Sequence, residues 1–302
     1  MRKLIGLLLV LIGCVEGQTP DAKNLKYTPP YTGSAATTIA SKLALTVNVK
    51  DFGATGNGST NDSAAITAAL TAGKGGTVYV PPGTYNMGTT SISLPTNTKL
   101  DCAPGYFGQG FSTGGAVFKF TSGFTGWGLV NPHFSINPGT LVNGEVSGCT
   151  LDLTASTSAQ GGLQIRSISW SSFHDINILL PSTGSLTGVI LDGQDIGIGN
   201  GTFWNDLRNV HVRGPAGTIV STHNGFLFTN QANSNECHNC TAQFVTNPFM
   251  FDQGTNNVNV YGGGSDAFNG TCFNYGSNTN WNHVLGSRCE ANGTQKSQSN
   301  SI

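Results

Sequence analysis

The chain has 302 residues, a formal net charge of −1 and only 10% charged residues, against roughly 25% in an average soluble domain. With no basic excess there is no electrostatic footprint for nucleic acid or for an anionic membrane surface, and nucleic-acid binding is excluded as a working reading. A content of 42 glycines and 37% hydrophobic residues suits many short strands joined by tight turns better than helices.

Arg2 and Lys3 precede an apolar run from Leu4 to Ile12, which is too short to span a membrane as a mature helix and reads as an export signal over residues 1–17. Two processing outcomes stay open. Val15-Glu16-Gly17 is a small-residue cleavage site that would leave Gln18 as the new terminus, whereas Leu11-Ile12-Gly13-Cys14 resembles a bacterial lipobox that would lipidate Cys14. The expected location is secreted or periplasmic, with a lipid anchor through Cys14 as the alternative. Residues 18–45, rich in Thr, Pro, Ala and Ser, form a linker or arm. No later apolar run is long enough to span a membrane.

From Val47 the sequence reads Val-Asn-Val-Lys-Asp51-Phe52-Gly53-Ala54-Thr55-Gly56-Asn57-Gly58. After a helix-like stretch it continues Gly75-Gly76-Thr77-Val78-Tyr79-Val80-Pro81-Pro82-Gly83-Thr84-Tyr85. This pair of segments resembles the opening of pectate-lyase superfamily domains, and Ala40-Ser41-Lys42-Leu43 resembles the lead-in of phage tailspikes. The resemblance implies an all-β, right-handed parallel β-helix over residues 46–302 with a short N-terminal capping helix. Asn61 or Asp62 would cap that helix, Ile66, Ala69 and Leu70 would face the core, and Gly73 would end it. The turns at Gly53, Gly56 and Gly58 are read as turn geometry, because no Gly-Lys-Ser/Thr follows to make a phosphate loop.

Beyond residue 140 the chain repeats at the period of a solenoid coil. One register aligns Gly162-Leu-Gln-Ile165, Gly188-Val-Ile-Leu191, Gly225-Phe-Leu-Phe228, Pro248-Phe-Met-Phe251 and Thr271-Cys-Phe-Asn274. A second aligns Trp170–Ile178 with Trp204–Val212, Cys237–Ala242 and Asn257–Val260. Cys237 and Cys240 then fall on inward positions, with Cys149 in the same column and Cys272 in the column of Phe226 and Phe249. Buried cysteine is the favoured reading, with a disulfide somewhere among the six cysteines after Cys14 as the alternative and a metal site least favoured. A Cys237–Cys240 disulfide is disfavoured, since residues three apart on an extended strand lie roughly 10 Å apart. Asp175, Asn209, Asn239 and Asn257 share a column that suits an amide ladder, and His174, Arg208 and His238 form an adjacent polar strip read as solvated surface.

Polygalacturonase-like hydrolases carry Asn-Thr-Asp, Asp-Asp, Gly-His-Gly and Arg-Ile-Lys motifs, and all four are missing here. The candidate catalytic set therefore comes from the alignment. Arg166, Asp192, Thr229 and Asp252 share a column, which puts Asp192 and Asp252 roughly 9.6 Å apart at two coil spacings, near the upper separation of inverting glycosidases. One would act as acid and the other as base, with Arg166 orienting a uronate; turn preference is the competing explanation. Trp127, Trp281, Tyr261 and Tyr275 could stack on sugars. No cofactor is evident from the residues, and the resemblance implies Ca2+ as an option. The expected activity is cleavage of an acidic polysaccharide by a lyase or hydrolase, with a non-catalytic, tailspike-like glycan binder as the alternative; tailspike likeness would imply a homotrimer. The tail Gln295–Ile302 offers no cap for the last coil, which leaves truncation at the C-terminus open.

Overall fold

The structure, a computed structural model, describes residues 21, 23–105, 114–131, 144–193, 201–220 and 222–290. The proposed signal, Cys14 and the tail from Gln295 lie outside these residues. The chain divides into two compact units between Leu45 and Thr46. In the first, Lys26–Tyr27 pairs antiparallel with Thr37–Thr38. A short helix, Ile39–Leu43, follows, and its N-cap Thr38 accepts a hydrogen bond from the Ser41 amide at 3.0 Å. None of the helix residues is buried.

The second unit is a right-handed parallel β-helix. Its described strands pair in parallel along three faces. One face climbs through Thr46–Asn48, Thr77–Val80, Lys99–Cys102, Glu145–Ser147 and the first halves of Ser172–Leu179 and Asp206–Arg213. It ends with Glu236–His238, Asn259–Tyr261 and His283–Leu285. The second face uses the distal halves of those two long strands, flanked by Cys149–Asp152 and Thr241–Val245. The third contains Gly161–Arg166, Thr187–Asp192, Asn224–Thr229, Asn247–Phe251 and Phe273–Tyr275.

Alternation along each strand makes the core. Leu163, Val189, Phe226, Phe249 and Phe273 stack inward in one column. Ile165, Leu191, Phe228 and Phe251 form the next, which Tyr275 continues half-buried. The phenyl rings of Phe226 and Phe249 lie 5.0 Å apart and 6° from parallel. The recurring glycine ahead of these columns has a steric cause. A Cβ on Gly162 would meet Ile178 at 2.4 Å, and one on Gly188 would meet Val212 at 2.4 Å. The third face comes too close to the second for any side chain there.

The helix Ser63–Ala72 packs Ile66, Ala69 and Leu70 into the core at the start of the solenoid, as the sequence implies. Of the two residues expected to cap it, Asn61 is the one that does. Asn61 accepts from the Ser63 amide at 3.0 Å, while Asp62 makes no cap bond. The buried Asp62 carboxylate instead accepts from the Thr55 and Gly56 amides at 2.7 and 3.1 Å, tying the glycine turn to the helix.

Five of the six described cysteines are buried as expected, and the expectation that they are unpaired is corrected. Cys102–Cys149, Cys237–Cys240 and Cys272–Cys289 are disulfides. Cys237 and Cys240 have Cα atoms 5.8 Å apart, because Asn239 between them adopts a left-handed φ of 53° and bends the chain from the first face to the second. Extended-strand spacing therefore does not apply. Asp175 and Asn209 occupy the same left-handed corner at φ 57° and 50°, where short amide and carboxylate side chains are tolerated. The ladder forms through it: Asn239 Nδ2 donates to Asn209 at 2.8 Å and Asn209 Nδ2 to Asp175 at 2.9 Å. Two register expectations shift. Asn257 lies in line with Ser234, not Asn239, since Asn259 pairs with Glu236. Cys272 falls one residue early, and Phe273 takes the place opposite Phe249.

Candidate functional site

The strands of the first face carry an outward strip of ionisable side chains. Asp101, Ser147, His174, Arg208, His238 and Tyr261 follow one another on successive strands, with Lys99, Glu145, Ser172, Asp206 and Glu236 in the neighbouring row. Outward positions alternate with the buried column of Leu100, Val146, Phe173, Leu207 and Cys237, so packing of one row fixes the direction of the other.

Three of these groups, with Asp175 at the adjoining corner, form a continuous relay. Lys99 Nζ lies 2.8 Å from Glu145, Glu145 lies 3.2 Å from His174 Nε2, and His174 Nδ1 lies 2.9 Å from Asp175. Asp175 also accepts from Asn209 at 2.9 Å, and Asp101 accepts from Ser147 at 2.9 Å. Lys99, Glu145, His174 and Asp175 are each about one-third exposed, on a surface open to a ligand.

The electrostatics follow from these contacts. The hydrogen bond from Lys99 outweighs desolvation and holds the Glu145 carboxyl below its ordinary range, and the same bond raises Lys99. Partial burial alone would lower His174, but hydrogen bonds to Asp175 and Glu145 prevail and raise it. Desolvation would raise Asp175, yet His174 and Asn209 bring it down. The strip thus holds ionised carboxylates beside an imidazole disposed to carry a proton, the two partners a proton transfer requires. One Asp206 carboxylate oxygen, shielded from solvent, has no hydrogen-bond partner among the described residues, while the other lies 2.6 Å from Arg208.

The structure brings Arg166 and Asp192 together on adjacent strands of the third face. Arg166 donates through Nε at 2.9 Å and through a terminal nitrogen at 2.6 Å to the same Asp192 oxygen. The other oxygen accepts from Asn230 at 2.8 Å. Asp192 is 3% exposed. Thr229 separates it from Asp252 in the ladder, and Asp252 accepts from the Gln253 amide at 2.8 Å. Of the aromatic candidates, Trp127 is buried and Tyr275 stacks on Phe251, while Trp281 is 80% exposed. Sequence reasoning missed the exposed pair Trp170 and Trp204, which opens each long repeat. It also missed Lys99, Asp101 and Glu145, which precede the region where the repeat is recognisable.

Calcium requires six to eight oxygen ligands. Among the described residues no three His, Cys, Asp or Glu side chains converge in a metal-holding arrangement. The carboxylates of the strip are already directed at Lys99, His174, Asn209 and Ser147. The strip does not fit a calcium cage, and its chemistry is derived without one. No helix among the described residues is long and apolar enough to cross a membrane.

The parallel β-helix is the fold of the pectate-lyase-like proteins. The chain belongs to the family described as rhamnogalacturonase A/epimerase, pectate lyase-like, which it matches over residues 46–266. It is 40% identical over 81 residues to mannuronan C5-epimerase AlgE3 of Azotobacter vinelandii, covering 26% of this chain and 4% of that protein. It is 39% identical over 79 residues to AlgE4 of the same organism, covering 25% and 14%. The chain thus spans a small part of the length of these relatives. Among solved structures it is similar to gene product 12 of bacteriophage phi29, with 19% identity, a TM-score of 0.47, and coverage of 76% of this chain and 34% of that one. It is also similar to the AlgE4 A-module, with 14% identity, a TM-score of 0.36, and coverage of 84% and 100%.

Proposed function

We propose that the protein acts on an acidic polysaccharide outside the cytoplasm, and that the Lys99–Glu145–His174–Asp175 relay transfers protons at a uronate residue. The observation that carries this reading is the unbroken hydrogen-bonded chain from an ammonium through two carboxylates and an imidazole on an exposed β-helix face. The family membership and the shared segment with mannuronan C5-epimerases support a uronate as substrate.

The C5 hydrogen of a uronate is adjacent to the carboxylate, and its removal builds negative charge on that group. Lys99 is placed to neutralise the charge. A uronate that takes Lys99 away from Glu145 also removes the main cause of the depressed Glu145 pKa, making Glu145 a better base as substrate arrives. His174, whose pKa is raised by its hydrogen bonds to Asp175 and Glu145, supplies a proton to the leaving oxygen in cleavage. The Arg166–Asp192 pair, with both carboxylate oxygens engaged in the third face, is read as a clasp between coils.

The test is an assay of the whole chain on polymannuronate, polygalacturonate and rhamnogalacturonan, with and without calcium. It follows unsaturated-uronate absorbance, new reducing ends and the uronate epimer ratio. Glu145→Gln should lower kcat by roughly 10²–10⁴, the range of a positioned proton-transfer group. Full activity in that variant would overturn the assignment. A second reading, a non-catalytic glycan-binding solenoid, is favoured by the fact that each carboxylate of the relay already has a cationic or amide partner. Folded protein silent in all three readouts, but retained by polysaccharide, would establish it.

A further inference from the structure

Trp170, Trp204, Ser234, Asn257 and Trp281 occupy one column, at the turn that enters the acid–base face. The register follows from the pairings Ser172–Asp206, Asp206–Glu236, Glu236–Asn259 and Asn259–His283 two residues further on. All five adopt left-handed backbone, with φ of 62°, 53°, 55°, 54° and 58°. Ser and Asn are ordinary there, but a bulky aromatic in this region is a costly exception. The three indoles do not recover that cost by burial. Trp170 and Trp204 are 50% and 51% exposed and Trp281 is 80% exposed.

The arrangement makes a bay. Trp204, backed by Trp170 at a ring separation of 4.7 Å, stands at one side, and Trp281 stands at the other. Three coil spacings separate their backbones, roughly 14 Å. The intervening Ser234 and Asn257 are short and polar, with Asn257 Nδ2 only 3.3 Å from Ser234 Oγ. Beneath the Trp204 side the turn is held by a buried amide pair, Asn205 donating to Asn235 at 3.0 Å.

We infer that this bay is a sugar-binding subsite, in which the C–H face of a pyranose stacks on Trp204 or Trp281 and its hydroxyls bond to Ser234 and Asn257. Aromatic walls over a polar floor match the two faces of a sugar ring, apolar above and hydroxyl-bearing at the edge. The inference rests on the reading that this face binds polysaccharide. Trp170 and His174 are four residues apart on one chain, roughly 13 Å of strand. A polysaccharide held in the bay therefore continues onto the relay a few sugar units away.

The test measures binding and turnover separately on the whole chain. Oligomannuronate and oligogalacturonate of defined length are titrated against intrinsic tryptophan fluorescence and by calorimetry, with circular dichroism as the folding control. Trp204→Ala and Trp281→Ala should each weaken binding about tenfold, which is about 1.4 kcal/mol, and Trp204→Phe should restore most of the loss. Unchanged affinity in both alanine variants overturns the subsite even if the protein is active. Tryptophan-dependent binding in a protein with no turnover upholds the subsite while overturning the proton-transfer reading. If an alanine variant fails to fold, the phenylalanine variants of both positions carry the comparison, and a fluorescence response to neither oligosaccharide in the parent protein overturns the inference.

Discussion

Removing the Cys102–Cys149 disulfide tests both the fold and the candidate site. Cys102 ends the strand that presents Lys99 and Asp101, and Cys149 follows the strand that presents Glu145 and Ser147. The bond closes a separation of 47 residues, against 17 for Cys272–Cys289 and 3 for Cys237–Cys240. In the chain-entropy description these separations correspond to about 4, about 3 and about 1.6 kcal/mol at 25 °C. Paired Cys→Ala variants of Cys102–Cys149 and of Cys237–Cys240 each remove two sulfurs from buried residues, so packing losses cancel to first order. The expected difference between the two variants is about 2.5 kcal/mol. Urea denaturation followed by circular dichroism reads it directly, and turnover of the Cys102/Cys149 variant should fall because the relay loses its tether. Equal destabilisation by the two variants would refute loop closure as the source of stability. Unchanged turnover would refute the claim that this bond positions the relay.

Two further outcomes follow from the charges. His174 has a raised pKa, so activity and any stability it contributes should be fully present below the ordinary imidazole value near 6.5 and lost as pH rises through the higher folded value. Glu145 and Asp175 have lowered pKa values, so their contribution persists above the ordinary carboxylate range and is lost only as pH falls through the depressed values. A pH–rate profile of parent and His174→Asn should therefore differ on the alkaline limb, and coincident profiles would remove His174 from the mechanism. Asp192→Asn should cost about 3 kcal/mol in denaturation, since it strips a partner from a largely buried ion pair, while turnover changes little. A large loss of turnover with stability intact would instead place the chemistry at Arg166, Asp192 and Asp252.

The β-helix was readable because its signal is redundant. Gly162, Gly188 and Gly225 sit at the same close approach, and the inward columns beside them tolerate only apolar residues, so each coil restates the pattern. The corners were less readable because one left-handed residue reverses an inference built on straight strands. Asn239 brings Cys237 and Cys240 within bonding distance, and the correct partner of Asn257 depends on loop lengths that no periodicity supplies.

The site was legible only in part, for a related reason. Outward residues carry no packing constraint, so Arg208 and His238 replace His174 along the strip without any shared chemistry to align on. Lys99 and Glu145 are 46 residues apart in sequence but adjacent on the sheet, and only the register of Leu100 with Val146 brings them together. The same register argues where function should concentrate. A solenoid repeats its core on every coil, but opposite charges meet His174 on both sides only at the Glu145–Asp175 level, and exposed tryptophans back one another only at Trp170 and Trp204 among the described residues. One member of each exception, His174 and Trp170, lies on the strand Ser172–Leu179 or the turn leading into it, and their partners Glu145 and Trp204 lie on the coils to either side. A regular scaffold that departs from its own repeat on neighbouring coils is best explained by a ligand that crosses them.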